Sequence, residues 1–211
     1  MLKVFEIFHS LQGETSRFGL PTVFVRLTGC PMRCSYCDTD YAFSGGSNMS
    51  LEAILAKVSE FGTKYVTLTG GEPLAQKAAF TLLNQLCDSG YSVSLETGGA
   101  IDITNVDQRV SIILDIKTPA SNEAENNRWD NLALITAKDE IKFVLCNRAD
   151  YDWAKAKLGE LNLTEKCPVL FSPSYYELQA SDLAAWVLAD KLNVRMQLQL
   201  HKILWGEKQG V

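Results

Sequence analysis

Short runs of β-branched and aromatic residues alternate with stretches of helical periodicity along most of this 211-residue chain. Thr22–Leu27 (TVFVRL) has the composition of a strand. Ser50 follows as a helix N-cap, with Leu51, Ile54, Leu55 and Val58 on one helical face. The same patterning predicts strands over Val4–Phe8, Tyr65–Leu68, Ser92–Leu95, Ser111–Ile116, Ile141–Leu145 and Val169–Phe171. It predicts helices over Leu74–Leu86, through Trp153, Ala156 and Leu158, and over Leu183–Leu192, with a final strand over Val194–Leu200. Strands joined by crossover helices form a parallel sheet. Roughly six units are present, whereas a closed eight-unit barrel needs about 250 residues. The expected fold is therefore α/β: a partial, open parallel β/α barrel. No repeat, low-complexity tract or Pro-rich linker divides the chain, so residues 1–211 read as a single domain with an N-terminal loop and a C-terminal tail.

Charge and composition narrow the function classes. Apolar residues make up 46% and charged residues 21%, which argues against a disordered chain. With 20 basic and 25 acidic residues the net charge is −5, opposite to the basic excess of a dedicated nucleic-acid binder. No apolar run approaches the length of a membrane helix, and MLKVFEIFHSLQGET lacks the features of a secretory signal. The expectation is a cytoplasmic protein that engages neither membrane nor nucleic acid. In that reducing setting six cysteines are expected as metal ligands or free thiols rather than disulfides.

In parallel α/β folds, ligands sit at the C-terminal ends of strands. Cys30, Thr69-Gly70-Gly71-Glu72-Pro73, Glu96-Thr97-Gly98-Gly99 and Asp115–Pro119 all fall at such ends. Cys30, Cys34 and Cys37 form CPMRCSYC, a CxxxCxxC pattern. Gly29 and Pro31 permit the loop that three converging thiolates require. A zinc site needs a fourth ligand, and His9 and His201 stand at opposite ends of the chain. Ferredoxin clusters also take four thiolates. Three cysteines without a nearby fourth ligand suggest a 4Fe-4S cluster with one open iron. Cys87, Cys146 and Cys167 fit no ligand spacing and read as inert thiols. Trp129, Trp153 and Trp186 read as packing residues, and Ser121–Arg128 as a solvated loop.

CxxxCxxC with Tyr36 before its last cysteine, followed by Gly70-Gly71-Glu72-Pro73, resembles the radical S-adenosylmethionine superfamily. That resemblance implies an open iron that chelates S-adenosylmethionine and a 5′-deoxyadenosyl radical that abstracts hydrogen, with no side chain performing that abstraction. SLQGET, FVRLTGC, CDT, LTGGEP, LETGG and LQLHK together resemble the 7-carboxy-7-deazaguanine synthase family. The implied reaction converts 6-carboxy-5,6,7,8-tetrahydropterin into 7-carboxy-7-deazaguanine with ring contraction and loss of ammonia, on the route to queuosine. The implied accessories are Mg²⁺, a homodimer and an electron donor such as flavodoxin.

By the same resemblance, Leu11, Gln12, Gly13, Glu14, Arg26, Thr69, His201 and Val211 contact substrate. Tyr36, Gly71, Glu72, Gly98, Lys117, Ser172 and Tyr175 fall near the cofactor, and Thr39 ligates magnesium through its hydroxyl. A guanidinium fork such as that of Arg26 suits a carboxylate. Read without the family, Gln12–Glu14 is a polar turn, Arg26 an outward strand residue and His201 a structural residue ending the last strand. Asp115-Ile116-Lys117 departs from the Ser-Pro-Lys of many family members. Ile203, Leu204 and Trp205 are expected to pack back onto the barrel, and Val211 to reach the substrate. A glycyl-radical activase would share the cysteines and GGEP but not Leu11–Glu14, Arg26 and His201. An iron–sulfur electron carrier would need four ligands.

Overall fold

A computed structural model describes all 211 residues, Met1–Val211. In chain order its elements are β1 (Leu2–Leu11), β2 (Pro21–Leu27), β3 (Ser47–Met49), α1 (Leu51–Ser59), β4 (Tyr65–Gly70), α2 (Ala78–Asp88), β5 (Ser92–Thr97) and β6 (Ser111–Asp115). There follow β7 (Glu140–Leu145), α3 (Arg148–Glu160), α4 (Leu163–Lys166), β8 (Val169–Pro173), α5 (Ala180–Asp190), β9 (Arg195–Met196) and α6 (Leu200–Trp205). One sheet has the order β3-β1-β2-β4-β5-β6-β7-β8-β9. From β2 to β9 every neighbouring pair is parallel, and β1 runs antiparallel to both β2 and β3. β3 and β9 are free edges, so the barrel is open, and six full parallel strands carry it as the sequence predicts.

Strand alternation divides the residues between two destinations. Val66 and Leu68 of β4, Val93 and Leu95 of β5, and Ile141, Phe143 and Leu145 of β7 join the main apolar core. Ile54 and Val58 of α1, Leu82, Leu83 and Leu86 of α2, and Tyr151, Ala154 and Leu158 of α3 complete that layer. The intervening positions face the barrel interior: Thr67 and Thr69 on β4, Ser94 and Glu96 on β5, Asp115 on β6 and Lys142 on β7. Thr67 Oγ1 and Ser94 Oγ are 2.8 Å apart across that inner face.

The loop after β1 closes the N-terminal end of the barrel. Ser16 donates from its N–H and hydroxyl to Glu140 at the start of β7. Arg17 donates to the Ser92 carbonyl (3.0 Å) and hydroxyl (3.1 Å) at the start of β5, and lies over the Tyr65 ring at the start of β4. Gln12 and Glu14 thereby stand inside the barrel.

Several expectations are corrected. The helix expected over Leu74–Leu86 is a 3-10 turn, Pro73–Ala75, followed by α2. Gln76 breaks it, because its side chain bonds Lys3 N–H, Lys3 C=O and Thr28 C=O, which holds the backbone extended. The strand expected over Val194–Leu200 pairs only at Arg195 and Met196, and His201 lies on α6 instead of ending a strand. Ile203, Leu204 and Trp205 do not pack back: they are 57%, 49% and 37% exposed. Trp153 and Trp186 pack on the core, but Trp129 stands at the surface, 6.3 Å from the Trp153 ring. No helix is long and apolar enough to cross a membrane.

Candidate active site

The cysteine loop leaves β2 and folds back over the ends of β4 and β5. Gly29, at φ +96°, starts it; its N–H donates to Ala42 C=O (2.9 Å), and its C=O accepts from Glu72 N–H (2.9 Å). A Cβ on Gly71 would lie 2.3 Å from Gly29 O and 2.7 Å from Cys30 Cβ. The Gly-Gly turn is thus what lets the cysteine loop seat on β4. The Arg33 guanidinium donates to the carbonyls of Cys30 (2.7 Å) and Met32 (2.6 Å), curling the loop on itself.

The segment Ser121–Arg128 is not a free solvated loop. Its Ser121 C=O accepts from Ser35 N–H (3.1 Å), Glu123 accepts from Arg33 N–H, and Asn127 makes two hydrogen bonds to the Lys117 backbone. It braces the cysteine loop from outside, a role that its polar composition conceals.

Cys30, Cys34 and Cys37 are free and partly exposed. They line a single cavity of about 540 Å³ at the C-terminal ends of the strands. Burial raises the Cys30 thiol and pushes Cys34 up to about 11. Metal coordination reverses that preference, since a coordinated thiol is held deprotonated. Tyr36 OH and Asp115 Oδ1 are buried without a hydrogen-bond partner in the same cavity. Three free thiols on one loop lining the cavity, beside unpartnered polar atoms, suit a cluster together with a polar cofactor.

The cavity brings together most of the residues singled out in the sequence. Leu11, Gln12, Gly13, Glu14, Arg26, Tyr36, Thr39, Thr69, Gly71, Gly98, Lys117, Tyr175, His201 and Val211 all line it. Glu72 and Ser172 do not. Ser172 is buried within β8. Glu72 accepts hydrogen bonds from Leu74 N–H (3.0 Å), Thr97 Oγ1 (2.9 Å) and Gly98 N–H (2.9 Å), tying the ends of β4 and β5 together. Burial raises its carboxyl above the ordinary range.

Away from the cysteines the cavity is strongly polar. Gln12 Nε2 donates to Glu96 Oε1 (3.2 Å), and Thr69 Oγ1 donates to Glu96 Oε2 (2.9 Å). Burial raises the Glu96 carboxyl. Arg26 Nε donates to Glu6 Oε1 (2.8 Å), so the outward strand position is excluded and the guanidinium meets the cavity between Phe8 and Tyr41. Lys117 Nζ stands 3.2 Å from Asp115 Oδ2 and 5.7 Å from the Tyr36 ring centre. His201 lies 3.9 Å from Glu14 Oε1 and 3.8 Å from Asp38 Oδ2. Gln199 Nε2 donates to both carboxylates, at 3.2 and 2.8 Å. Asp38 is desolvated, which raises its carboxyl, yet His201, Lys142 and Lys202 pull it down to about 2.

Lys142, Glu96, Asp38 and Gln199 went unassigned in the sequence. The inward parity of Lys142 and Glu96 in their strands was an available signal. Asp38 and Gln199 lie in the quoted CDT and LQLHK segments, but their pairing had no local signal, since the two are distant in sequence.

The family model for the Radical SAM superfamily matches residues 24–120. The 7-carboxy-7-deazaguanine synthase of Chlorobaculum tepidum is 45% identical to this chain over 214 aligned residues, spanning all of this chain and 97% of the relative. That of Koribacter versatilis is 42% identical and covered in full. Among solved structures, QueE from Escherichia coli superposes with a TM-score of 0.76 at 23% identity, covering 94% of this chain and 93% of that one, a likeness of fold. By its similarity to these two synthases along its whole length, and with the superfamily model over residues 24–120, the chain belongs to the 7-carboxy-7-deazaguanine synthase family of the radical S-adenosylmethionine superfamily.

Proposed function

We propose that this enzyme converts 6-carboxy-5,6,7,8-tetrahydropterin into 7-carboxy-7-deazaguanine with loss of ammonia. The observation that carries the reading is the joining, in one cavity, of three free thiols with Gln12, Glu14, Arg26 and His201. Cys30, Cys34 and Cys37 would hold a 4Fe-4S cluster, which with S-adenosylmethionine supplies a hydrogen-abstracting radical. The protein's own part is positioning. Gln12 and Glu14 present paired donor and acceptor groups to a pterin edge. Arg26 has its Nε committed to Glu6, and its terminal fork is the partner for the substrate carboxylate. Thr69, His201 and the Val211 carboxylate complete the substrate's surroundings. Gly71 and Gly98 allow close backbone approach to the cofactor, with Tyr36, Lys117 and Tyr175 around it. Glu72 and Ser172 act on it only through their neighbours.

Thr39 lines the cavity beside Asp38 and offers a hydroxyl to Mg²⁺, an ion that prefers oxygen ligands. Thr39→Ala should weaken the magnesium dependence and leave the cluster spectrum intact; an unchanged magnesium titration would remove Thr39 from the metal's ligands. The whole chain acts as one catalytic domain, as a homodimer in the cytoplasm, with an electron donor such as flavodoxin and a product destined for queuosine.

The deciding experiment supplies the anaerobically reconstituted protein with the carboxytetrahydropterin, S-adenosylmethionine, Mg²⁺ and a reductant. Mass spectrometry should find 7-carboxy-7-deazaguanine and ammonia; cofactor cleavage without that product would refute the assignment.

A further inference from the structure

Glu14 sits on the loop that closes the N-terminal end of the barrel, and its counter-charge comes from the opposite wall. Lys142 Nζ, on β7, bonds Glu14 Oε2 across 128 positions of sequence. The two side chains are 14% and 16% exposed. The other carboxylates beside Glu14, Asp38 from the cysteine loop and Glu96 from β5, supply it no counter-charge. His201 of α6 lies 3.9 Å from Oε1, and Gln199 Nε2 donates to that oxygen at 3.2 Å. Lys142 is thus the permanent cation in contact with Glu14. An ion pair this buried fixes both side chains, because separating them leaves a desolvated charge unpaired.

The pair engages Oε2; Oε1, which accepts from Gln199 Nε2 and lies toward His201, keeps further acceptor capacity on a residue that lines the cavity. The loop backbone alone would not set this orientation. Ser16 and Arg17 anchor the loop one turn further on, and Gln197 holds the Glu14 carbonyl, not its side chain. We propose that Lys142 is a positioning residue for substrate: it holds the Glu14 carboxylate so that Oε1 accepts a hydrogen bond from an N–H of the pterin ring. This rests on the functional reading above and adds to it a residue that makes its contribution without touching the substrate.

Equilibrium dialysis of the reconstituted holoenzyme tests it, with S-adenosylmethionine present, reductant absent and 6-carboxy-5,6,7,8-tetrahydropterin as the probe. Lys142→Met should raise the Kd for the pterin about tenfold, and KM in parallel, with kcat falling less. Iron content and S-adenosylmethionine affinity should be unchanged. Lys142→Arg, which keeps the charge, should stay within about threefold of wild type. In a Glu14→Gln background, Lys142→Met should add less than about twofold, because the two residues act as one unit. Wild-type affinity in Lys142→Met, or equal losses in both backgrounds, overturns the proposal while leaving the functional reading intact. A wild-type protein that binds no pterin overturns both. Should Lys142→Met fail to load iron, Lys142→Gln carries the same comparisons.

Discussion

A thiol serves a cluster only where two others line the same cavity, and here only one triplet does. Cys30, Cys34 and Cys37 line the cavity, whereas Cys87 lies on α2, and Cys146 and Cys167 are buried elsewhere. Each of Cys30→Ala, Cys34→Ala and Cys37→Ala should therefore abolish activity and cluster absorbance. Cys87→Ala, Cys146→Ala and Cys167→Ala should load iron near the wild-type level; loss in the Cys146 variant would mean a fourth protein ligand. The glycines make a graded prediction. A Cβ on Gly71 meets backbone at 2.3 Å, and the Glu72–Gly29 hydrogen bond beside it allows no retreat. A Cβ on Gly98 meets the Met32 methyl at 2.2 Å, the free end of a flexible side chain. Gly71→Ala should cost about 2–3 kcal/mol in a urea melt and Gly98→Ala about 1 kcal/mol. The reverse order would show that the cysteine loop is not seated on the Gly-Gly turn. The cysteines and both glycines were legible because their signal is local spacing. The inward placement of Lys142 was legible from strand parity, but its role was not, since that depends on a glutamate 128 residues away.

At the scale of elements, legibility followed the local causes of structure. Ser50 caps α1 as its sequence predicts, accepting from Ala53 N–H at 3.1 Å. The patterned strands β2 and β4–β8 fell where β-branched runs placed them. The failure at Val194–Leu200 is instructive, because its alternation is real. Val194 and Met196 pack against the core as alternation requires, and Gln197 and Gln199 reach inward to Glu14, Gln199 also to Asp38. The Gln197 N–H still donates to Phe171 C=O of β8 at 3.0 Å, and beyond it the chain leaves the sheet and turns into α6 at Leu200. The helix then delivers the tail: Gly206–Val211 line the cavity, and Glu207 latches the turn by accepting from Lys202 Nζ (2.7 Å) and Tyr176 OH. Termini are ordinarily tolerant of additions, but an extension from Val211 has to leave through the cavity mouth. A C-terminal tag should therefore raise the KM for the pterin several-fold. An N-terminal tag should not, because Met1 is 76% exposed and lines no part of the cavity. Equal kinetics for the two tagged forms would make Val211 an ordinary chain end.

For the whole molecule, an open barrel with a polar interior concentrates buried carboxylates at its mouth, and they titrate in opposite senses. Glu72 and Glu96 have folded values raised by burial, so the folded state binds their protons more tightly than the unfolded chain does. Their stabilising contribution is complete below the unfolded glutamate value, about 4.3, and is lost as pH rises through the raised folded values. Glu14 and Asp38 behave conversely. Burial is outweighed there, by Lys142 for Glu14 and chiefly by His201 for Asp38, which falls to about 2. Their contribution is present above the unfolded values, near 4, and is lost as pH falls through the lowered folded values, about 2 for Asp38. The two sets together place the stability maximum on the acid side of neutrality. Thermal melts of the cluster-free, reduced protein should give a higher midpoint near pH 5.5 than at pH 7.5, then a steep fall below about pH 4. Glu96→Gln removes one raised group and should flatten the rise between pH 7.5 and 5.5 without moving the acid limb. A midpoint that declines steadily from pH 7.5 downward would mean that Glu72 and Glu96 are solvated rather than enclosed, and the barrel mouth more open than its geometry requires.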